Sequence, residues 1–282
     1  MSDEPSGHSQ LVDQLVDMAW AERPANQGTL LLDPPVPLPI DDEIGDVGEA
    51  GNGSDVRVLR ERMLDLIRGT GPGLILQPVV HIQSGAQVGA EALARFPGPM
   101  STADWFRAAH ALGVGADLEL RILHDVVDHL DERPGGFVGV NLSPSVLLDP
   151  RSTDLLHRAA DAELMIEITD QTVMPKLSIL RTRLDEVRRL GVRVAIHVSE
   201  FSMSTLQSLM LAGPDVAKLD PPITAAVAAG RARSTTAESL FTFCRQEGVF
   251  VIAVGVETRE QLAALQDSGV DAYQGFVVQA EG

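Results

Sequence analysis

LSILRTRLDEVRRLGVRVAIHV, residues 177–198, holds a helix, its stop and a strand in one continuous reading. Leu177, Leu180, Leu184, Val187 and Leu190 recur at spacings of three and four, which lines them along one helix face. Gly191 suits the left-handed residue that ends such a helix. Val192–Val198 then reads as a strand, an apolar run interrupted by Arg193 and by His197 near its end.

The same unit recurs outward in both directions. Upstream, Val56–Arg68 reads as an amphipathic helix. Leu74–Ile82 and Val88–Phe96 read as two strands joined through Gly85. Leu118, Ile122, Val126 and Val127 mark a helix, and Gly136–Leu142 and Leu164–Ile168 are strands. Downstream lie a strand at Val216–Leu219, a helix around Ala237–Gln246 and a strand at Val249–Val254. Thr258-Arg259-Glu260-Gln261 is a capping box opening a helix to Gln266, and a last strand is expected at Gly275–Val278. About eight strands alternating with helices over roughly 210 residues favour a closed parallel barrel over a doubly wound sheet.

In such a barrel, chemistry belongs to the C-terminal ends of the strands. Those ends carry Asn141, Glu167 (with Asp170 three residues on), His197, Lys218 and Val254, and Gln274 precedes the expected last strand. Buried Glu, Asn and Lys are costly unless paired or metal-bound, so their convergence marks a site.

Composition narrows the partners. The 282 residues carry a net charge of −18, with 44% hydrophobic and 4% aromatic residues. This argues against nucleic acid as a partner, by charge and for want of stacking platforms. Cys244 is the single cysteine, which forbids an internal disulfide and suits a reducing, cytoplasmic setting. No apolar run reaches the ~18 residues of a membrane span, and the start Met1-Ser2-Asp3-Glu4 lacks the basic residues of a signal peptide.

Residues 1–55 differ from the rest. They hold 12 acidic residues against one basic residue, Arg23. Asp33-Pro34-Pro35-Val36-Pro37-Leu38-Pro39 excludes a helix or a central strand, and the acidic, glycine-rich run from Asp41 to Gly53 reads as linker. The expectation is an acidic, largely disordered extension (1–55) before a barrel domain (56–282). Leu11, Val12, Leu15, Val16, Ala19 and Trp20 form a helical stripe that packs on its own domain, is offered to a partner, or stays marginally disordered.

Several tracts, in one order, resemble the EAL domains that hydrolyse cyclic di-GMP. Glu91-Ala92-Leu93-Ala94-Arg95-Phe96, preceded by Gln77-Pro78-Val79-Val80, resembles the signature. Val140-Asn141-Leu142-Ser143 is similar to the strand with the metal-binding asparagine. Ile166-Glu167-Ile168-Thr169-Asp170 is similar to the Glu-x-x-Glu element, and Asp215-Val216-Ala217-Lys218-Leu219-Asp220 to the strand with the catalytic lysine. Gly255-Val256-Glu257-Thr258 and Gln274-Gly275-Phe276 resemble the last two motifs. The resemblance covers about residues 56–282 and implies a modified TIM (β/α)8 barrel. It implies Glu91, Asn141 and Glu167 as metal ligands and Lys218 as general base. Gln77, Leu93, Arg95, Glu257 and Gln274 become ligand contacts, with Arg95 on phosphate.

The departures set the functional expectation. The family's paired aspartates align with His197 and Val198, its Phe-Gly-Thr-Gly loop with Ser199-Glu200-Phe201-Ser202, and a further glutamate with Val254. Two-metal hydrolysis needs several carboxylates to hold its ions about 4 Å apart, and valine offers none. His197 is expected as a neutral filler of the old site, with ligation of Mn²⁺, Zn²⁺ or Fe²⁺ as the alternative. Without a metal-bound water to deprotonate, Lys218 is expected to pair with Glu167 or to contact a ligand phosphate. The resemblance also implies a Gly-x-Pro element and a closing helix after the last strand, whereas this sequence ends at Gly282. The expectation is a degenerate EAL domain without a required cofactor, holding at most one Mg²⁺ or Mn²⁺ weakly. It would act as a cyclic di-GMP receptor or through a protein partner, with a homodimer left open. The alternative is an active phosphodiesterase yielding pGpG.

Overall fold

The computed structural model describes residues 30–31, 53–132, 135–168, 177–231 and 234–276. The Leu11–Trp20 stripe, the Pro34–Pro39 run and Asp170 lie outside the described residues.

The strands β2 (Gly73–His81), β3 (Gln87–Arg95), β4 (Phe137–Leu142), β5 (Leu164–Ile168), β6 (Arg193–Val198), β7 (Val216–Leu219), β8 (Phe250–Val254) and β9 (Ala272–Gln274) pair in sequence order. β9 pairs back onto β2, which closes an eight-stranded barrel. From β3 to β9 the pairing is parallel; β2 is antiparallel to both its barrel neighbours, β3 and β9. That single reversal follows from the tight β2–β3 hairpin, turned through Gly85 at φ +68°. The fold is therefore the expected modified TIM barrel.

β1 (Leu30–Leu31) precedes them and pairs antiparallel with β2, Leu30 opposite Leu76 and Leu31 opposite Ile75. The extension thus makes a backbone pairing with the barrel that its composition did not announce. The first helix among the described residues, α1 (Gly53–Arg68), starts at Gly53 rather than the expected Val56.

Further helices connect the strands: α2 (Thr102–Ala111), α3 (Gly115–Asp128), α4 (Pro144–Leu147), α5 (Pro150–Arg158), α6 (Leu177–Arg189), α7 (Met203–Ala212), α8 (Pro221–Ala228), α9 (Thr235–Glu247) and α10 (Arg259–Leu265). α6 follows the apolar stripe read from the sequence, burying Leu180, Leu184 and Val187, and Gly191 follows it at φ +77°. α10 opens on the expected capping box, with Thr258 and Gln261 each satisfying the other's backbone.

Two apolar layers result. Val79, Val88, Phe137, Met165, Ala195, Val216, Phe250, Ile252 and Ala272, drawn from all eight barrel strands, form a cluster of their own. It plugs the barrel interior below the C-terminal strand ends. A larger cluster joins the outer strand faces to the helices. The plug leaves the upper barrel layer to polar residues.

The last strand departs from expectation. It is Ala272–Gln274 instead of Gly275–Val278, so Gln274 ends the strand rather than preceding it. Tyr273 pairs with Val80 and Gln274 with Val254. At Gly275 the backbone comes so close to that of Val256 that a Cβ would overlap it, and the chain leaves the sheet there. Residues 277–278 lie outside the described residues.

Candidate functional site

The polar strand ends converge as read. Asn141, Glu167, His197 and Lys218 each occupy the penultimate position of a parallel strand, and Val254 and Gln274 are the last residues of theirs. Ladder register sets Asn141 beside Glu167, His197 beside Lys218, Val254 beside Gln274, and Gln77 beside Glu91. Side chains in register share a face, so this layer faces the barrel interior above the plug.

Lys218 is its centre. The side chain is fully buried, and its Nζ donates to Glu167 Oε2 at 2.6 Å and to Glu91 Oε2 at 2.7 Å. Glu91 also accepts from Asn141 Nδ2 at 2.7 Å and Gln274 Nε2 at 2.7 Å, and Gln274 Nε2 reaches Gln77 Oε1 at 2.9 Å. The expected pairing of Lys218 with Glu167 is thus present, and Glu91 joins it.

The electrostatics follow from burial opposed by partners. Burial alone would push the Glu91 carboxyl up; the Lys218 ammonium and the hydrogen bonds from Lys218, Gln274 and Asn141 outweigh it and hold the group below the usual carboxylate range. Burial would likewise lower the Lys218 amine, but the Glu167 and Glu91 carboxylates raise it. The three groups form a charged triad in which one ammonium faces two carboxylates. As a general base, Lys218 would have to be neutral, and this environment favours the protonated form.

His197, expected as a neutral filler, lies between two carboxylates. Its Nδ1 lies 2.7 Å from Asp220 Oδ1 and its Nε2 3.4 Å from Glu167 Oε2. Burial would lower its pKa, but the hydrogen bonds with Asp220 and Glu167 prevail and push it up to about 9. The two carboxylates favour the charged form of the ring, against burial and the nearby Lys218 ammonium. Asp220 was quoted in the lysine strand's motif but given no role. The signal lay in its place two residues after Lys218, one strand over from His197.

The ligand-contact residues divide. Gln77 and Gln274 belong to the triad's network. Leu93 is only partly buried, two residues beyond Glu91 on β3. Arg95 is exposed at the end of β3, where its Nη1 donates to Ala94 O. Glu257 is exposed in the loop after β8, its backbone N donating to Gln261 Oε1. The structure therefore places Arg95 and Glu257 on the rim, outside the buried network.

The donor set can be weighed against a divalent ion. Glu91 Oε1 faces the Asn141 amide, while Glu91 Oε2 and Glu167 Oε2 both receive the Lys218 ammonium. Of these four carboxylate oxygens, buried Glu167 Oε1 is the one without a hydrogen-bond partner. Val198, fully buried, and Val254 supply no ligand atom. Among the described residues, no group of three or more His, Cys, Asp or Glu side chains is arranged to hold a metal ion. A two-ion centre needs carboxylates around both ions, and these residues do not fit one.

Comparisons with known proteins agree with this architecture. The family model described as "EAL domain" matches residues 61–280. The chain is 26% identical over 216 residues to the probable cyclic di-GMP phosphodiesterase PdeD of Escherichia coli, covering 72% of this chain and 40% of that protein. It is also 26% identical over 212 residues to the uncharacterized protein y4lL of Sinorhizobium fredii, covering 71% of this chain and 26% of that protein. The chain thus spans well under half the length of these relatives. Among solved structures, the Xanthomonas citri FimX EAL domain in complex with c-diGMP superposes with a TM-score of 0.65 at 18% identity, covering 80% of this chain and 94% of that one. The Bacillus subtilis YkuI protein, in complex with c-di-GMP and calcium, superposes with a TM-score of 0.59 at 20% identity, covering 73% of this chain and 53% of that one. Family match and barrel topology together place this chain in the EAL domain family.

Proposed function

We propose that this chain is a catalytically degenerate EAL domain that binds cyclic di-GMP without hydrolysing it. The observation that carries the reading is the Lys218 ammonium bonded to both Glu91 and Glu167, where hydrolysis would call for carboxylates on metal ions. His197, Val198 and Val254 add no carboxylate to that layer. The remaining polar groups suit recognition. Arg95 offers a planar, exposed guanidinium at the mouth, fitted to a phosphate. Partly buried Leu93 and Gln77 line the same strand pair.

A second reading is that the domain acts through a protein partner without ligand. It is favoured by α7, whose Met203, Met210 and Leu211 are exposed on a helix without a charged residue. Calorimetric titration with cyclic di-GMP, with and without Mg²⁺, separates the two. Heat that saturates with ligand, independent of Mg²⁺, supports the receptor. A folded sample giving no heat near 100 μM ligand leaves the interaction module.

A further inference from the structure

We infer that the Lys218 ammonium occupies a cation seat between Glu91 and Glu167, serving as a built-in replacement for a divalent ion. The inference deepens the non-catalytic reading and rests on it. Its ground is geometric. A single Nζ, fully buried, lies 2.6 Å and 2.7 Å from carboxylate oxygens contributed by β5 and β3, the strands on either side of β4. A divalent ion bridging the same oxygens would sit about 2.0–2.6 Å from each, so ammonium and metal cannot both hold that point.

The surroundings of the seat favour the ammonium. A buried carboxylate pair must be neutralised by something, because isolated buried charge is very costly. With Val198 and Val254 at two strand ends, a metal ion there would find fewer protein oxygens and would have to complete its shell with water. An ammonium asks for less, since it has three donors to satisfy. Two of them go to the carboxylates. His197 closes the other side of Glu167, with its Nε2 3.4 Å from Oε2 while Asp220 holds its Nδ1. The bare backbone of Gly139 closes the side of the remaining oxygen, Glu167 Oε1, so tightly that a Cβ at residue 139 would overlap it. The seat fits one cation, and that cation is tethered to β7.

If the seat is a cation seat, emptying it should make the protein metal-responsive. The experiment is thermal unfolding of the full chain with and without 5 mM MgCl₂ or MnCl₂, joined to calorimetric titration with Mn²⁺, on wild type and Lys218→Met. Wild type should show no specific metal uptake and no shift in midpoint. Lys218→Met should unfold many degrees lower under chelator, and Mn²⁺ should raise its midpoint by about 5 °C or more by mass action. If Lys218→Met does not fold under chelator, refolding in Mn²⁺ is the readout. A third variant, Lys218→Met with Glu91→Gln and Glu167→Gln, should fold without metal and ignore it. The inference is overturned by wild type that binds Mn²⁺ below about 100 μM, by Lys218→Met that Mn²⁺ does not help, or by a triple variant as unstable as the single one. No nucleotide enters these measurements. A failed ligand titration therefore leaves this inference standing, and failure here leaves the receptor reading to its own test.

Discussion

His197 Nδ1 lies 2.7 Å from Asp220 Oδ1, joining the ends of β6 and β7 across the top of the barrel. This contact, with Glu167 behind it, pushes the imidazole pKa up to about 9 against burial. The unfolded value is about 6.5. A group raised in the folded state contributes stability that is complete below the unfolded pKa and is lost as pH rises through the folded one. His197 should therefore stabilise the fold fully below pH ~6.5 and progressively less towards pH 9. An NMR titration of the seven histidines should show one ring titrating near 9. In Asp220→Asn that resonance should move down. A wild-type protein with every histidine titrating near 6.5 would contradict the assignment.

Gly139 should tolerate no side chain. A Cβ there would overlap Glu167 Oε1 and crowd Met165 Cε, both in the barrel interior. Overpacking of this kind costs about 1–3 kcal/mol. Gly139→Ala should lose that much in urea unfolding with an unchanged slope. A neutral result would mean that Glu167 moves freely, contrary to a carboxylate pinned by Lys218.

Arg95 should act on ligand and hardly on stability, because it is exposed and bonded only to the neighbouring carbonyl among the contacts described. A charge-assisted bond to phosphate contributes about 1.5–3 kcal/mol, so Arg95→Ala should weaken cyclic di-GMP binding about 10- to 150-fold. The loss should shrink as salt rises. Equal binding by Arg95→Ala would remove Arg95 from the ligand's path.

The strands with strong apolar runs were legible in the sequence, as Leu164–Ile168 and Val216–Leu219 show by matching the structure at both ends. α6 and α10 were legible because a stripe and a capping box are local signals. α2, α4, α5, α7 and α8 were not marked. α7 carries no charged residue to contrast with its buried face, and α8 begins with Pro221-Pro222, which reads as a breaker although proline is at home in a first helical turn. The last strand was misplaced because Val277-Val278 looks more strand-like than Ala272-Tyr273-Gln274. At the site, residue types told which strand ends mattered. They did not tell which cation would sit between Glu91 and Glu167, or that Asp220 would charge His197, because both depend on barrel shear and register between strands distant in sequence.

The central claim is that this barrel does not hydrolyse cyclic di-GMP. The most direct test is incubation of purified protein with cyclic di-GMP in Mg²⁺ or Mn²⁺, with chromatographic detection of linear pGpG. The account predicts no product above a protein-free control. Product formed at about 1 s⁻¹ or faster, the lower range of ordinary enzymes, and abolished in Glu91→Ala, would contradict it.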